Sequence, residues 1–185
     1  LETAALQRLV AEELLSQRRF SIAIDCHSGF GVSDRIWFPY AHTAKPIPAP
    51  GGNARADGIL FDQTHSHHRY VFEPQSRQYL AHGDLWDYLY LRAQGGPSRV
   101  FLPLTLEMGS WLWVKKNPRQ FFSREGLFNP RPGHRLHRVL RRHLLWLDFL
   151  ARAACGWRNW LPHGDRRLRH KKLAMAEWYG WHKHP

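Results

Sequence analysis

Ile22-Ala23-Ile24-Asp25-Cys26-His27-Ser28-Gly29 is the stretch on which the reading of this chain turns. An apolar run ends in a histidine, and the backbone then turns through Ser28 and Gly29. The pattern reads as a buried strand with an imidazole at its carboxyl end, where open α/β sheets hold their ligands. Val100 to Leu106 form a second apolar run, which ends in Glu107 with Gly109 just beyond. One histidine and one carboxylate, each at a strand end before a glycine, suggest a metal ligand and a general base.

The composition sets the frame around these two strands. A chain of 185 residues suits one domain with a real core. A hydrophobic fraction of 43% argues against disorder, and nine tryptophans and ten phenylalanines imply large aromatic burial. No apolar run approaches the ~18 residues of a membrane span. Cys26 and Cys155 are too few for a disulfide framework, and they fit a reduced, cytoplasmic compartment. Leu1 is not an initiator methionine, and Leu6, Leu9, Val10 and Leu14 already have helical spacing. The chain is therefore expected to continue something upstream.

The formal charge of +12 is uneven. Residues 131–185 hold 13 Lys/Arg against 3 Asp/Glu, whereas residues 1–130 hold 14 against 12. This basic segment includes Arg166, Arg167, Arg169, Lys171 and Lys172. It is read either as a solvated helix face with a loose tail or as a surface for nucleic acid or anionic membrane.

The remaining segments alternate between the two periods. Glu2 to Gln17 reads as an amphipathic helix, Phe20–Cys26 as a strand and Arg35–Tyr40 as a short aromatic strand. Prolines and glycines make Lys45–Gly52 irregular, and a weak helix is expected over Ala54–Gln63. Arg69–Glu73 reads as a strand stopped by Pro74. Asp84 is placed to cap a helix running to Arg92. In the strand Val100–Glu107, Pro103 favours an edge or irregular position. Asn117–Gly133 reads as a surface loop. His134–Cys155 is the clearest helix, with Leu136, Val139, Leu140, Leu144 and Leu147 expected on its inner face. Alternating strands and helices give an α/β layer architecture.

Three residues and one histidine cluster are candidates for chemistry. His27 is either a metal ligand, with Asp25 two residues earlier orienting its ring, or a hydrogen-bonded core histidine. Glu107 is either a general base or the partner of Lys115, Lys116 or an arginine, because an unpaired buried charge is costly. Tyr79 precedes the turn at Gly83, which suits either a phenol that closes on substrate or a packed interface tyrosine. His65, His67 and His68 are adjacent in a polar segment and cannot all face one ion. There is no glycine-rich phosphate loop, no Gly-x-Ser-x-Gly elbow and no Cys-x-x-Cys pair.

In their order and spacing these segments resemble the C-terminal part of the zinc carboxypeptidase family, the carboxypeptidase A-like metallopeptidases. The resemblance covers roughly residues 1–155 and leaves 156–185 as a basic C-terminal tail. His27-Ser28 followed by Trp37-Phe38-Pro39-Tyr40 resembles the family's third zinc ligand and the aromatic-Pro-Tyr strand after it. Tyr79, Gly83, Asp87 and Tyr88 match the spacing around the family's catalytic tyrosine, and Thr105-Leu106-Glu107 matches its late catalytic glutamate. The resemblance implies a mixed sheet with flanking helices and zinc as cofactor. By it, His27 is a metal ligand, Glu107 and Tyr79 are catalytic, and Tyr79 and Asp87 bind a peptide substrate. The His-x-x-Glu motif that supplies the family's other two ligands is absent, so the chain alone is expected to be inactive. Glu107-Met108-Gly109 is also similar to the Leu-Glu-x-Gly of related zinc deacylases, which act on N-acyl amino acids.

Overall fold

The computed structural model describes residues 2–16, 18–38, 40–46, 69–94, 99–123, 126–131 and 133–180. The expected helix over 54–63 and the histidines at 65, 67 and 68 lie outside them. Among the described residues four strands form one mixed sheet: β1 (Phe20–Ser28), β2 (Arg35–Phe38), β3 (Val71–Pro74) and β4 (Val100–Met108). Their spatial order is β1-β4-β2-β3. β1 runs parallel to β4, β4 antiparallel to β2, and β2 parallel to β3. The general α/β class is thus the observed one.

Helices cover both faces, and the alternation of side chains decides which strand residue meets which helix. On one face Ile22, Ile24, Ile36, Phe38, Leu104 and Leu106 pack against α4 (Gly133–Cys155) and α6 (Gly164–Tyr179) through Trp146, Leu150, Ala174 and Trp178. Phe20 and Leu102 extend this face onto α5 (Trp157–Trp160). On the other face Ala23 and Phe101 meet Val10 of α1 (Glu2–Val10) and Leu89 and Ala93 of α2 (Leu85–Gln94). Full burial of side chains such as Leu102 and Phe101 stabilises the fold by about 1.5–3 kcal/mol each. Asp84 caps α2 as expected, its Oδ1 accepting the backbone N–H groups of Trp86 and Asp87.

Several local expectations are corrected. β1 lies at the edge of the described sheet and is only partly buried, with Cys26 and His27 exposed. β4 is an interior strand, as is β2, although it contains Pro103. The reason is local: Pro103 pairs with Ala23 of β1, while β2 pairs only with Thr105 to Glu107. The proline therefore sits where β4 has one neighbour, and its missing N–H breaks no bond to β2. The buried side of α4 is carried by His143, Trp146 and Leu150, so Leu136, Leu140 and Leu144 face outward. Trp146 offers more area to the sheet than any leucine, and His143 is held by the Tyr70 hydroxyl at 3.1 Å.

The segment 117–133 is not simply a loop either. It contains a 3₁₀ turn, Pro118–Phe122, whose Gln120 is buried and donates to the carbonyls of Gly126 and Asn129. Nor is the basic C-terminal segment a loose tail over its described part. α6 turns Ala174, Trp178 and Tyr179 into the core and leaves Arg166, Arg167, Arg169 and Lys172 exposed. No helix among the described residues is long and apolar enough to cross a membrane. Cys26 and Cys155 are both free.

Candidate active site

The parallel register sets His27 of β1 directly beside Glu107 of β4. Residues paired in this way project to the same face, about 4.8 Å apart along the hydrogen-bonding direction. Arg35 of β2 is the next residue across, opposite Glu107. One row therefore reads His27, Glu107, Arg35, and the row before it reads Asp25, Thr105, Trp37. Both rows lie near the carboxyl ends of β1 and β4, where α2 reaches the face through Trp86.

Each member of the first row is held differently. The His27 ring bonds through Nε2 to Asp25 Oδ2 at 2.8 Å, and Trp86 Nε1 donates to the same oxygen at 2.8 Å. A carboxylate accepts, so Nε2 carries a proton, and in the neutral ring Nδ1 keeps its lone pair. That is the tautomer a metal-ligating imidazole needs, with a carboxylate behind it. The alternative of a core histidine does not hold, because His27 is exposed.

Glu107 is 5% exposed, and its Oε1 has no hydrogen-bond partner among the described residues. Neither Lys115 nor Lys116 pairs with it. Burial pushes its carboxyl above the usual range. His27 and the backbone N–H of Phe30 oppose that shift, and Asp25 adds to it. A buried carboxyl beside an imidazole, with one oxygen free, is able to exchange a proton with a bound molecule.

Arg35 went unnoticed in the sequence. Its NH1 donates to Glu73 Oε1 at 2.5 Å, and its guanidinium lies 5.9 Å from the Phe30 ring centre. The signal was present: a charge alternating with apolar residues in Arg35-Ile36-Trp37-Phe38 must share a face with Trp37.

Backbone stitching fixes the distance between the two strand ends. Gly29 N donates to Ser110 Oγ at 2.8 Å, and Gly109 N donates to Asp34 Oδ1 at 2.9 Å. Trp111 donates from its backbone N to Gly31 O and from Nε1 to Gly29 O. Gly109 is required here, because a Cβ would lie 2.7 Å from the backbone of Val32 and Ser33. The loop after His27 and the turn after Glu107 thus behave as one unit.

Tyr79 reaches the same side through aromatic contacts. Its ring meets Trp37 edge-on at 5.6 Å and Phe30 at 6.4 Å, and its hydroxyl accepts from Gln75 Nε2 at 3.2 Å. It is 43% exposed and precedes Gly83, whose φ of 78° makes the turn. Asp87 goes elsewhere. It is buried in α2, and its Oδ2 accepts the backbone N–H groups of Ala41 (2.8 Å) and His42 (3.0 Å). Burial raises its pKa, and those two bonds lower it. The structure therefore brings His27, Glu107 and Tyr79 to one side, while Asp87 ties α2 to the segment after β2.

No protein-family model, curated protein or solved structure matches this chain.

Proposed function

We propose that this chain carries part of the active site of a zinc-dependent amide hydrolase with a carboxypeptidase-like fold. The observation that carries the reading is the register of β1 against β4, which pairs His27 with the buried, part-unpartnered Glu107. His27 fits a zinc ligand through Nδ1, with Asp25 and Trp86 fixing the ring. Catalytic zinc generally takes three protein ligands. Among the described residues no three His, Cys, Asp or Glu side chains gather around one point. His27 is thus one ligand of a set whose other members lie outside them.

Zinc in such a site acidifies a water and polarises a carbonyl. The chain's own residues do the rest. Glu107 takes the proton of the attacking water and passes it to the leaving amine, which its raised proton affinity favours. Arg35, next in the row, is held by Glu73 and borders the same end of the sheet. Tyr79 closes over the bound group from the Trp37–Phe30 side.

The test is Glu107→Gln in the full-length protein, assayed on blocked peptides and on N-acyl amino acids. Turnover is expected to fall by about 10²–10⁴-fold with bound zinc unchanged. Near wild-type turnover removes Glu107 from the role. Preference for N-acyl amino acids over peptides assigns the activity to deacylation, the alternative favoured by Glu107-Met108-Gly109.

A further inference from the structure

A concave site lies against Val32, Ser33 and Asp34 of the loop that follows His27. Asp34, Arg69, Lys116, Arg135, Arg138 and Arg142 face a cavity of about 340 Å³. The cations come from three places: Arg69 just before β3, Lys116 at the end of the helix Trp111–Lys116 (α3), and three arginines of α4. Arg135, Arg138 and Arg142 are spaced three and four residues apart, so they share one helix face.

Five cations thus surround one carboxylate. That carboxylate is already engaged: Asp34 Oδ1 accepts Gly109 N, and Oδ2 lies 2.9 Å from Arg142 Nε. Arg135 donates to the carbonyl of Trp113, and Arg142 to that of Arg69. Lys116, Arg138 and the Arg69 guanidinium reach no carboxylate among the described residues. The first turn of α4 carries no acid, against the preference of a helix start for negative charge. Like charges gathered in a concavity repel one another, and an anion placed there offsets both penalties.

We infer that this cavity binds a small molecule bearing phosphate groups. Donors converging from three directions suit a tetrahedral oxyanion better than a flat carboxylate. The volume is at the lower end of small-ligand sites, about 300–1,000 Å³. This site does not depend on the hydrolase reading, since neither His27 nor Glu107 lines it.

The experiment is calorimetric titration of the folded full-length protein with pyrophosphate, citrate and a short RNA duplex. Pyrophosphate is expected to bind one per chain, more tightly than citrate and more weakly as salt is raised. Lys116→Glu with Arg138→Glu is expected to weaken it by about tenfold or more. Arg166→Glu with Arg167→Glu, an equal charge change on exposed α6 residues, leaves it unaltered. If the first pair fails to fold, Lys116→Gln with Arg138→Gln carries the same test. Equal loss in both charge-reversed pairs, several anions per chain, or preference for citrate or duplex RNA overturns the inference. His27→Ala leaves pyrophosphate binding intact, which separates this result from failure of the proposed zinc site.

Discussion

At the scale of single residues, the arrangement depends on one carboxylate serving two donors. Asp25 Oδ2 takes the hydrogen bonds of both His27 Nε2 and Trp86 Nε1. The first sets the imidazole tautomer; the second anchors the carboxylate to α2. Asp25→Ala removes the group that keeps Nδ1 free for a ligand and aimed. Zinc affinity, measured by competition with a chromophoric chelator, is therefore expected to fall about 10–100-fold. Unchanged affinity would mean that Asp25 only packs against Trp86. Asp25 and His27 were legible in the sequence because period-two alternation alone puts residues two apart on one face. Arg35 was not legible in the same way. Its place opposite Glu107 is a matter of register, and an antiparallel register is not written in either strand separately.

At the scale of elements, the strands were more legible than the docking of the helices. β1 and β4 announce themselves by apolar runs ending at a turn. Which of them is interior depends on what pairs with each, and that reversed the expectation for Pro103. The α4 periodicity located the helix but not its inner face: a leucine stripe and a His143–Trp146–Leu150 stripe are both available, and contacts distant in the chain choose the second. α6 makes the same point more strongly. Its sequence is dominated by cations, yet Trp178 packs on Phe38 at 4.8 Å and on Phe72 at 5.8 Å. Trp178→Ala is expected to destabilise the protein by about 3–5 kcal/mol in chemical denaturation. A loss below about 0.5 kcal/mol would show that α6 is an appendage rather than part of the core.

At the scale of the whole molecule, the sheet separates structure from chemistry by face. One face is apolar up to Ser28 at the end of β1 and is packed against α4, α5 and α6. The other is apolar only over its first half, where α1 and α2 lie, and becomes polar toward the ends of β1 and β4. Charge is distributed in a related way. The basic C-terminal segment supplies three arginines to the proposed anion site and an exposed row on α6. The class of fold and the two strand ends could be read from the chain alone. The cavity could not, because its walls come from four segments that only folding brings together.

The proposed function requires that His27 and Glu107 face one divalent ion. Anomalous diffraction at the zinc edge, from zinc-loaded crystals of the full-length protein, tests this most directly. The expected result is a single peak about 2.0–2.1 Å from His27 Nδ1, with the Glu107 carboxylate turned toward it. A zinc peak held by other residues, with His27 unligated and Glu107 facing away, would contradict it.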